Sequence, residues 1–183
     1  MVKRIVEEIK ACRENDYHLS ALALALTLPD ICGKAEFPNE YSSRKRYIDW
    51  YDNHIGKYEL ERSKSLGDTP TEFPYLNGEL LYQLRCSFLH TGDADIDKSK
   101  LHKEQNQKLE FFLEIRSYDD ILSTSTFGAV QNSQAGEVES RKYTVCVDYL
   151  CIILANSALK YYEDNKEKFQ FSCSVIDKMY KRL

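Results

Sequence analysis

Apolar positions recur three or four residues apart along the first half of the chain and every second residue along part of the second half. Ile5, Val6, Ile9 and Cys12 predict a helix from Val2 to about Asn15. Asp16 offers a cap for a second helix running through Leu19, Leu22, Leu24, Leu26 and Leu28. Ala21, Ala23 and Ala25 alternate with leucines there in a strand-like way, but Ala and Leu are strong helix formers and weak strand formers. Pro29 and Gly33 mark the end of this helix, or a kink followed by one more turn. Ser42 or Ser43 then caps a helix carrying Tyr47, Ile48, Trp50, Tyr51 and Ile55. A charged loop from about Glu61 to Glu72 separates it from a helix that starts at Asn77, a good N-cap, and runs to His90 with Gly92 as its stop.

The period then changes. Leu109, Phe111, Leu113 and Ile115 alternate with charged or mixed residues, and so do Tyr143, Val145 and Val147, as half-buried strands do. Between them lies a Ser-, Thr-, Gly- and Asn-rich stretch from Ser123 to Gly136, which reads as a long connection. This region, about 108–147, is expected to be a β-hairpin inserted into a helical domain. Asp148 is expected to cap an apolar helix with Leu150, Ile153, Leu154, Ala158 and Leu159, and a short helix from about Ser172 to Arg182 finishes the chain. The fold class is therefore mainly α, with residues 1–183 as one domain.

Composition narrows this picture. Only 7 Gly and 4 Pro leave few turns for an all-β fold, and 43% hydrophobic with 30% charged residues is a globular balance. A net charge of −4 argues against coating nucleic acid through bulk positive charge, though not against a small basic site. The six cysteines form no Cys-x-x-Cys pair, and Cys146 and Cys151 have no His at zinc-finger spacing, so buried thiols in a reducing cytoplasm are expected and no metal or cofactor is implied. The N-terminus alternates charge with apolar residues and lacks a signal-peptide core, and no run approaches the ~20 apolar residues needed to span a bilayer.

The helix from Asn77 to His90 carries the candidate chemistry. Leu81, Leu84 and Phe88, with Leu80 at the edge, form a core stripe, while Tyr82, Cys86 and Leu89 form a second apolar strip roughly opposite. Such a helix either lies deep in the domain or packs on the core and on a partner together. Arg85 flanks the second strip on one side and His90 on the other. An Arg fixed there asks for a carboxylate or a phosphate, and a His in the last helical turn is favoured in its charged form by the helix dipole. A two-fold axis through Tyr82, Cys86 and Leu89 would bring two guanidinium groups and two imidazoles to one cleft, which suits phosphodiester cleavage.

The stretch Leu80-Leu81-Tyr82-Gln83-Leu84-Arg85-Cys86-Ser87-Phe88-Leu89-His90-Thr91-Gly92 contains Arg, four residues, His near the end of an apolar helix. It resembles the signature of the HEPN superfamily, helical-bundle proteins that include many metal-independent ribonucleases and toxins. The resemblance implies a homodimeric bundle that cleaves RNA, as a toxin or defence effector, with an antitoxin or a nucleotidyltransferase as further partner. His90 is then the general base or acid on the ribose 2′-hydroxyl or the leaving 5′-oxygen, and Arg85 neutralises the pentavalent phosphate. One position departs from the pattern: active members often have a polar residue directly after the Arg, where this chain has Cys86. The alternative is a non-catalytic binding or regulatory module of the same fold, in which Arg85 and His90 serve only the dimer interface.

Other groups weigh less. Arg13 and His18 repeat the Arg-x4-His spacing, but straddle a predicted break between helices and lack an apolar frame. Arg44, Lys45 and Arg46 form a compact basic cluster, and if RNA binds they are its phosphate contacts. A structural role for Arg85 would be an ion pair with Asp49 or Asp52, and for His90 a bond to the last helical carbonyls. His18, His54 and His102 read as surface or loop residues, and Asp93, Asp95 and Asp97 as a solvated acidic loop, since the Gly and Glu of a calcium loop are misplaced.

Overall fold

Residues 1–58, 76–92, 108–115, 127–132 and 140–170 are described by the structure, a computed structural model. Helix α1 (Val2–Glu14) buries Val2 and Ile9 and carries the pairs Arg4–Glu8 and Lys10–Glu14 on its solvent side. It ends at Asn15 because Asp16 takes a left-handed conformation, φ 58°, which Asp tolerates better than most residues. Asp16 therefore ends one helix and does not cap the next: α2 (His18–Ala25) follows Tyr17 with no side-chain cap. Nor does Pro29 end a helix. It sits in the first turn of α3 (Leu28–Glu36), where its missing N–H has no helical partner to lose. The Thr27 hydroxyl, bonded to the Leu24 carbonyl at 2.7 Å, helps close α2 just before it.

The Ser42 hydroxyl caps α4 (Ser43–Tyr51) by accepting from the Lys45 N–H. Helix α3 packs on α4, and the contact is tightest at Gly33, where a Cβ would stand 2.6 Å from the Arg46 carbonyl oxygen. The chain continues through a π-helical turn, Asp52–Gly56, that buries Ile55. Helix α5 (Gly78–Thr91) begins and ends close to the expected residues. Asn77 accepts from the Leu80 N–H, Asp52 accepts from the Gly78 N–H at 2.7 Å, and Gly92 closes the helix with φ 70°.

The two alternating segments are strands, β1 (Lys108–Glu114) and β3 (Ser140–Cys146), but they are not the two arms of one hairpin. They pair parallel, Lys108 opposite Ser140. Inside the polar stretch between them lies β2 (Phe127–Asn132), which pairs antiparallel with β3, so the order is β1-β3-β2. Alternation reports that a strand exists and which face is apolar; it does not report the direction of pairing. Strand β3 leads straight into α6 (Val147–Asp164), whose buried positions Val147, Leu150, Cys151, Leu154, Ala158 and Tyr161 follow the helical period. A 3-10 turn, Lys166–Lys168, follows.

The molecule is thus mainly helical with a small sheet. Its core joins the six α-helices of the described residues around Trp50, Tyr47, Tyr51, Leu22, Leu81, Leu84 and Leu154, each fully buried. Cys32, Cys146 and Cys151 are buried thiols. Among the described residues no helix is long and apolar enough to cross a membrane. The expected C-terminal helix, the 61–72 loop, Asp93, Asp95, Asp97 and His102 lie outside the described residues.

Candidate functional site

Two caps fix the start of α5, and its leucines fix its rotation: Leu80, Leu81 and Leu84 are at most 1% exposed. Phe88 packs on the core from its edge. That leaves Tyr82 and Cys86 half-buried and Leu89 37% exposed, so the second apolar strip lies at the surface of the chain. Arg85 and His90 flank it as expected; Arg85 is half-buried and His90 exposed.

The Arg85 carboxylate partner is neither Asp49 nor Asp52. Arg85 Nη2 lies 3.0 Å from Asp30 Oδ2, on the first turn of α3. Asp49 instead faces Lys45, and Asp52 holds the α5 N-terminus. Arg85 also lies over the Tyr82 ring at 5.9 Å and directs Nη1 to the Cys86 sulfur at 3.9 Å. Burial raises the Asp30 carboxyl above its ordinary range, against the opposing pull of Arg85 and, more weakly, Arg46. The guanidinium leans the other way: burial lowers it, but Asp30, Cys86 and Tyr47 together leave it raised. Arg stays charged at any ordinary pH, so the carboxylate decides the strength of this pair. The Nε atoms of Arg85 and Arg46 are both buried without a hydrogen-bond partner among the described residues.

Helix α4 brings part of the basic cluster to the same place. Arg46 is close enough to influence Asp30, and Arg44 close enough to feel Tyr82 and Cys86. None of the cluster waits unpaired. Arg44 is 2.6 Å from Glu79, Lys45 is 2.9 Å from Glu40 and 3.5 Å from Asp49, and Arg46 donates to the Glu40 carbonyl. Arg85 and Arg44 therefore lie beside the strip and Arg46 near Asp30, with Asp30 and Glu79 as the carboxylates of Arg85 and Arg44, while Lys45 is turned to Glu40 and Asp49.

His90 ends α5 without the structural role considered for it. The Gly92 N–H takes the Phe88 carbonyl, and no bond from His90 to a helical carbonyl occurs among the described residues.

The other Arg-x4-His copy does straddle the break between α1 and α2, yet it converges on one buried carboxylate. Arg13 Nε lies 2.9 Å from Asp148 Oδ1, and His18 Nδ1 lies 3.0 Å from Asp148 Oδ2. Asp148 is 4% exposed in the first turn of α6; Cys146, not Asp148, holds the N-cap position. The His18 contact is an ion-pair approach without the straight alignment of a hydrogen bond. His54 is not a plain surface residue either, since its Nε2 lies 2.8 Å from Glu36 Oε2. Nothing local could reveal Asp148 as the partner of Arg13, 135 residues away. His54, by contrast, stands four residues after Trp50, a helical spacing that places it beside an aromatic ring. Comparison of the chain with family models, curated proteins and solved structures finds no match.

Proposed function

We propose that this chain is a HEPN-like module that cleaves RNA without a metal, at a site assembled from two copies of α5. The observation that carries this reading is the division of α5 into a wholly buried leucine face and a half-exposed strip of Tyr82, Cys86 and Leu89. Arg85 and His90 flank that strip. A second copy packed on the strip about a two-fold axis would bring both residues from each chain to one cleft.

In that cleft one His90 takes the proton of the ribose 2′-hydroxyl, and the oxygen attacks the adjacent phosphorus. The bond to the 5′-oxygen breaks, and the imidazole of the second copy protonates that leaving oxygen. Arg85 stabilises the added negative charge, and Asp30 holds its guanidinium in place. Arg44 and Arg46 position the flanking phosphates, Arg44 exchanging the Glu79 carboxylate and Arg46 the Glu40 carbonyl for phosphate as they do so. The products are a cyclic phosphate and a free 5′-hydroxyl.

The reading is tested with purified protein and single-stranded RNA in excess EDTA. Cleavage should persist, and His90→Ala should reduce its rate by about 10²–10⁴-fold with unchanged folding, since His90 is exposed. Equal cutting by both proteins would assign the activity to a contaminant. The non-catalytic module is the second reading, favoured by the Asp30–Arg85 pair and by Cys86 beside the arginine. It predicts binding of RNA, an antitoxin or a nucleotidyltransferase that is lost in Arg85→Ala, with no cleavage by either protein.

A further inference from the structure

The connection between α3 and α4, residues 37–42, carries a ring that the fold does not use. Tyr41 is 99% exposed, more than any other large hydrophobic residue described. A single exposed tyrosine is ordinary on a protein surface, and a turn needs no aromatic residue. This one differs in how its backbone is held. The Glu40 N–H donates to the Phe37 carbonyl at 3.1 Å, closing a turn just before it. The Glu40 carboxylate reaches across Tyr41, accepting from the Lys45 ammonium at 2.9 Å and the Ser42 N–H at 3.0 Å. Those two bonds, with a smaller pull from the Tyr41 N–H, hold that carboxyl below its ordinary range. The Glu40 carbonyl accepts from the Arg46 guanidinium, and Ser42 caps α4 through the Lys45 N–H. The backbone on both sides of Tyr41 is thus tied to the ends of α3 and α4, while its ring stays in water.

The turn also stands beside the candidate site. Arg46 links the two: it donates to the Glu40 carbonyl and acts on Asp30, whose carboxylate is 3.0 Å from Arg85. Arg44, which feels Tyr82 and Cys86 of the strip, is three residues from Tyr41, so their Cα atoms are at most about 11 Å apart. Tyr47, Trp50 and Tyr51 on α4 are fully buried and cannot receive a group from solvent. An exposed ring on a fixed turn loses little conformational freedom when a flat group settles on it. Such a contact does not depend on the balance between the neighbouring cations and their carboxylates, because the ring is neutral. On the RNA reading above, we infer that Tyr41 is a stacking platform for an unpaired base of a strand that passes Arg44 towards Arg85. Every base has a π-face, so the contact is tolerant of sequence, but it requires a base released from a duplex. The substrate class is therefore RNA with an unpaired nucleotide within a few positions of the cut.

The full-length chain would be titrated with a single-stranded RNA oligonucleotide that carries 2-aminopurine in place of adenine. Its riboses would be 2′-O-methylated, so that no 2′-hydroxyl is free to attack. Stacking on the Tyr41 ring should quench the 2-aminopurine emission saturably. Tyr41→Ala should weaken this binding, and raise KM for the matching unmodified RNA with kcat unchanged, by about 5- to 100-fold. Tyr41→Phe keeps the ring and should stay close to wild type. Both variants should fold, since the side chain lies in solvent. A fully paired RNA duplex offers no free base, and its affinity should be the same for all three proteins. Equal affinity of wild type and Tyr41→Ala for the single strand would overturn the platform while leaving cleavage by His90 untouched. A loss in Tyr41→Phe as large as in Tyr41→Ala, or an equal loss towards the duplex, would also overturn it. Quenching that depends on Tyr41, in a protein that cuts no RNA, would support the platform and sink the cleavage reading instead. Absence of any RNA binding by wild type would overturn both.

Discussion

Asp148 is the least exposed charged residue described, and two basic side chains from the α1–α2 junction reach it. Removing one partner of a buried pair leaves the others desolvated and uncompensated, which costs more than the pair gained when it formed. Asp148→Ala should therefore destabilise the fold by about 3 kcal/mol, read as a lower urea midpoint. Adding Arg13→Ala to that variant should cost little more, because the guanidinium has already lost its carboxylate. Equal, additive losses would show that the two act separately. The Asp30 carboxyl gives a pH-dependent counterpart. Its folded-state titration lies above the unfolded value because burial outweighs Arg85 and Arg46. A raised carboxyl means that the folded chain holds the proton longer than the unfolded one. Its contribution is thus present below the ordinary value of 3.8 and is lost as pH rises through the raised one. In Arg85→Ala both the charge and the hydrogen bond that oppose burial disappear, and the carbon-detected titration of Asp30 should move further up. A downward move would mean that Arg85 is not its principal partner.

Among the elements, the α3–α4 contact tests packing against intrinsic preference. Gly33 lies inside α3, where Gly→Ala ordinarily stabilises a helix by up to about 1 kcal/mol. Here the new Cβ would stand 2.6 Å from the Arg46 carbonyl oxygen and 2.9 Å from its carbon, and backbone cannot swing aside as a side chain can. Gly33→Ala should therefore lower the melting temperature; a rise would mean that α3 and α4 do not approach so closely. The same contact explains what the sequence could and could not convey. The helical period, the Asn77 and Ser42 caps and the Gly92 stop are local features, and α1 and α5 lie where the pattern placed them; the single helix expected through Leu19 to Leu28 is instead α2 and α3, and Ile55 falls in the π-helical turn after α4. Pro29 and Asp16 were ambiguous locally, because Pro suits the first turn as well as a break and Asp suits a left-handed residue as well as a cap. The partners of Arg85, Asp148 and β1 come from distant parts of the chain, so no spacing rule could reach Asp30, Arg13 or the parallel register with β3. The leucine face and the second strip of α5 were legible, because one helical period places both; that the strip lies half-exposed was not, because the period alone fits a helix buried on all sides equally well.

At the scale of the whole molecule, the net charge of −4 limits how RNA can be held. In the proposed site, Arg85, Arg44 and Arg46 can neutralise about three phosphates per chain. Single-stranded RNA binding should then show a shallow salt dependence, with log K falling against log salt at a slope of about −2 per chain. A much steeper slope would place the contacts elsewhere. The proposed cleft also requires a second copy, because one chain supplies one Arg85 and one His90 on opposite flanks of Tyr82, Cys86 and Leu89. Leu89 is the most exposed member of that strip, and a carboxylate there would be buried without a partner at a two-fold interface while remaining solvated in a monomer. Wild-type protein should scatter light as a particle of twice 21.3 kDa at micromolar concentration, and Leu89→Asp as a single chain. Substitution at so exposed a position should change the stability of the chain itself by no more than about 0.5 kcal/mol. RNA cleavage should be lost with the dimer. If wild-type protein instead cuts RNA as a 21.3 kDa particle, Arg85 and His90 act within one chain and the strip has another use.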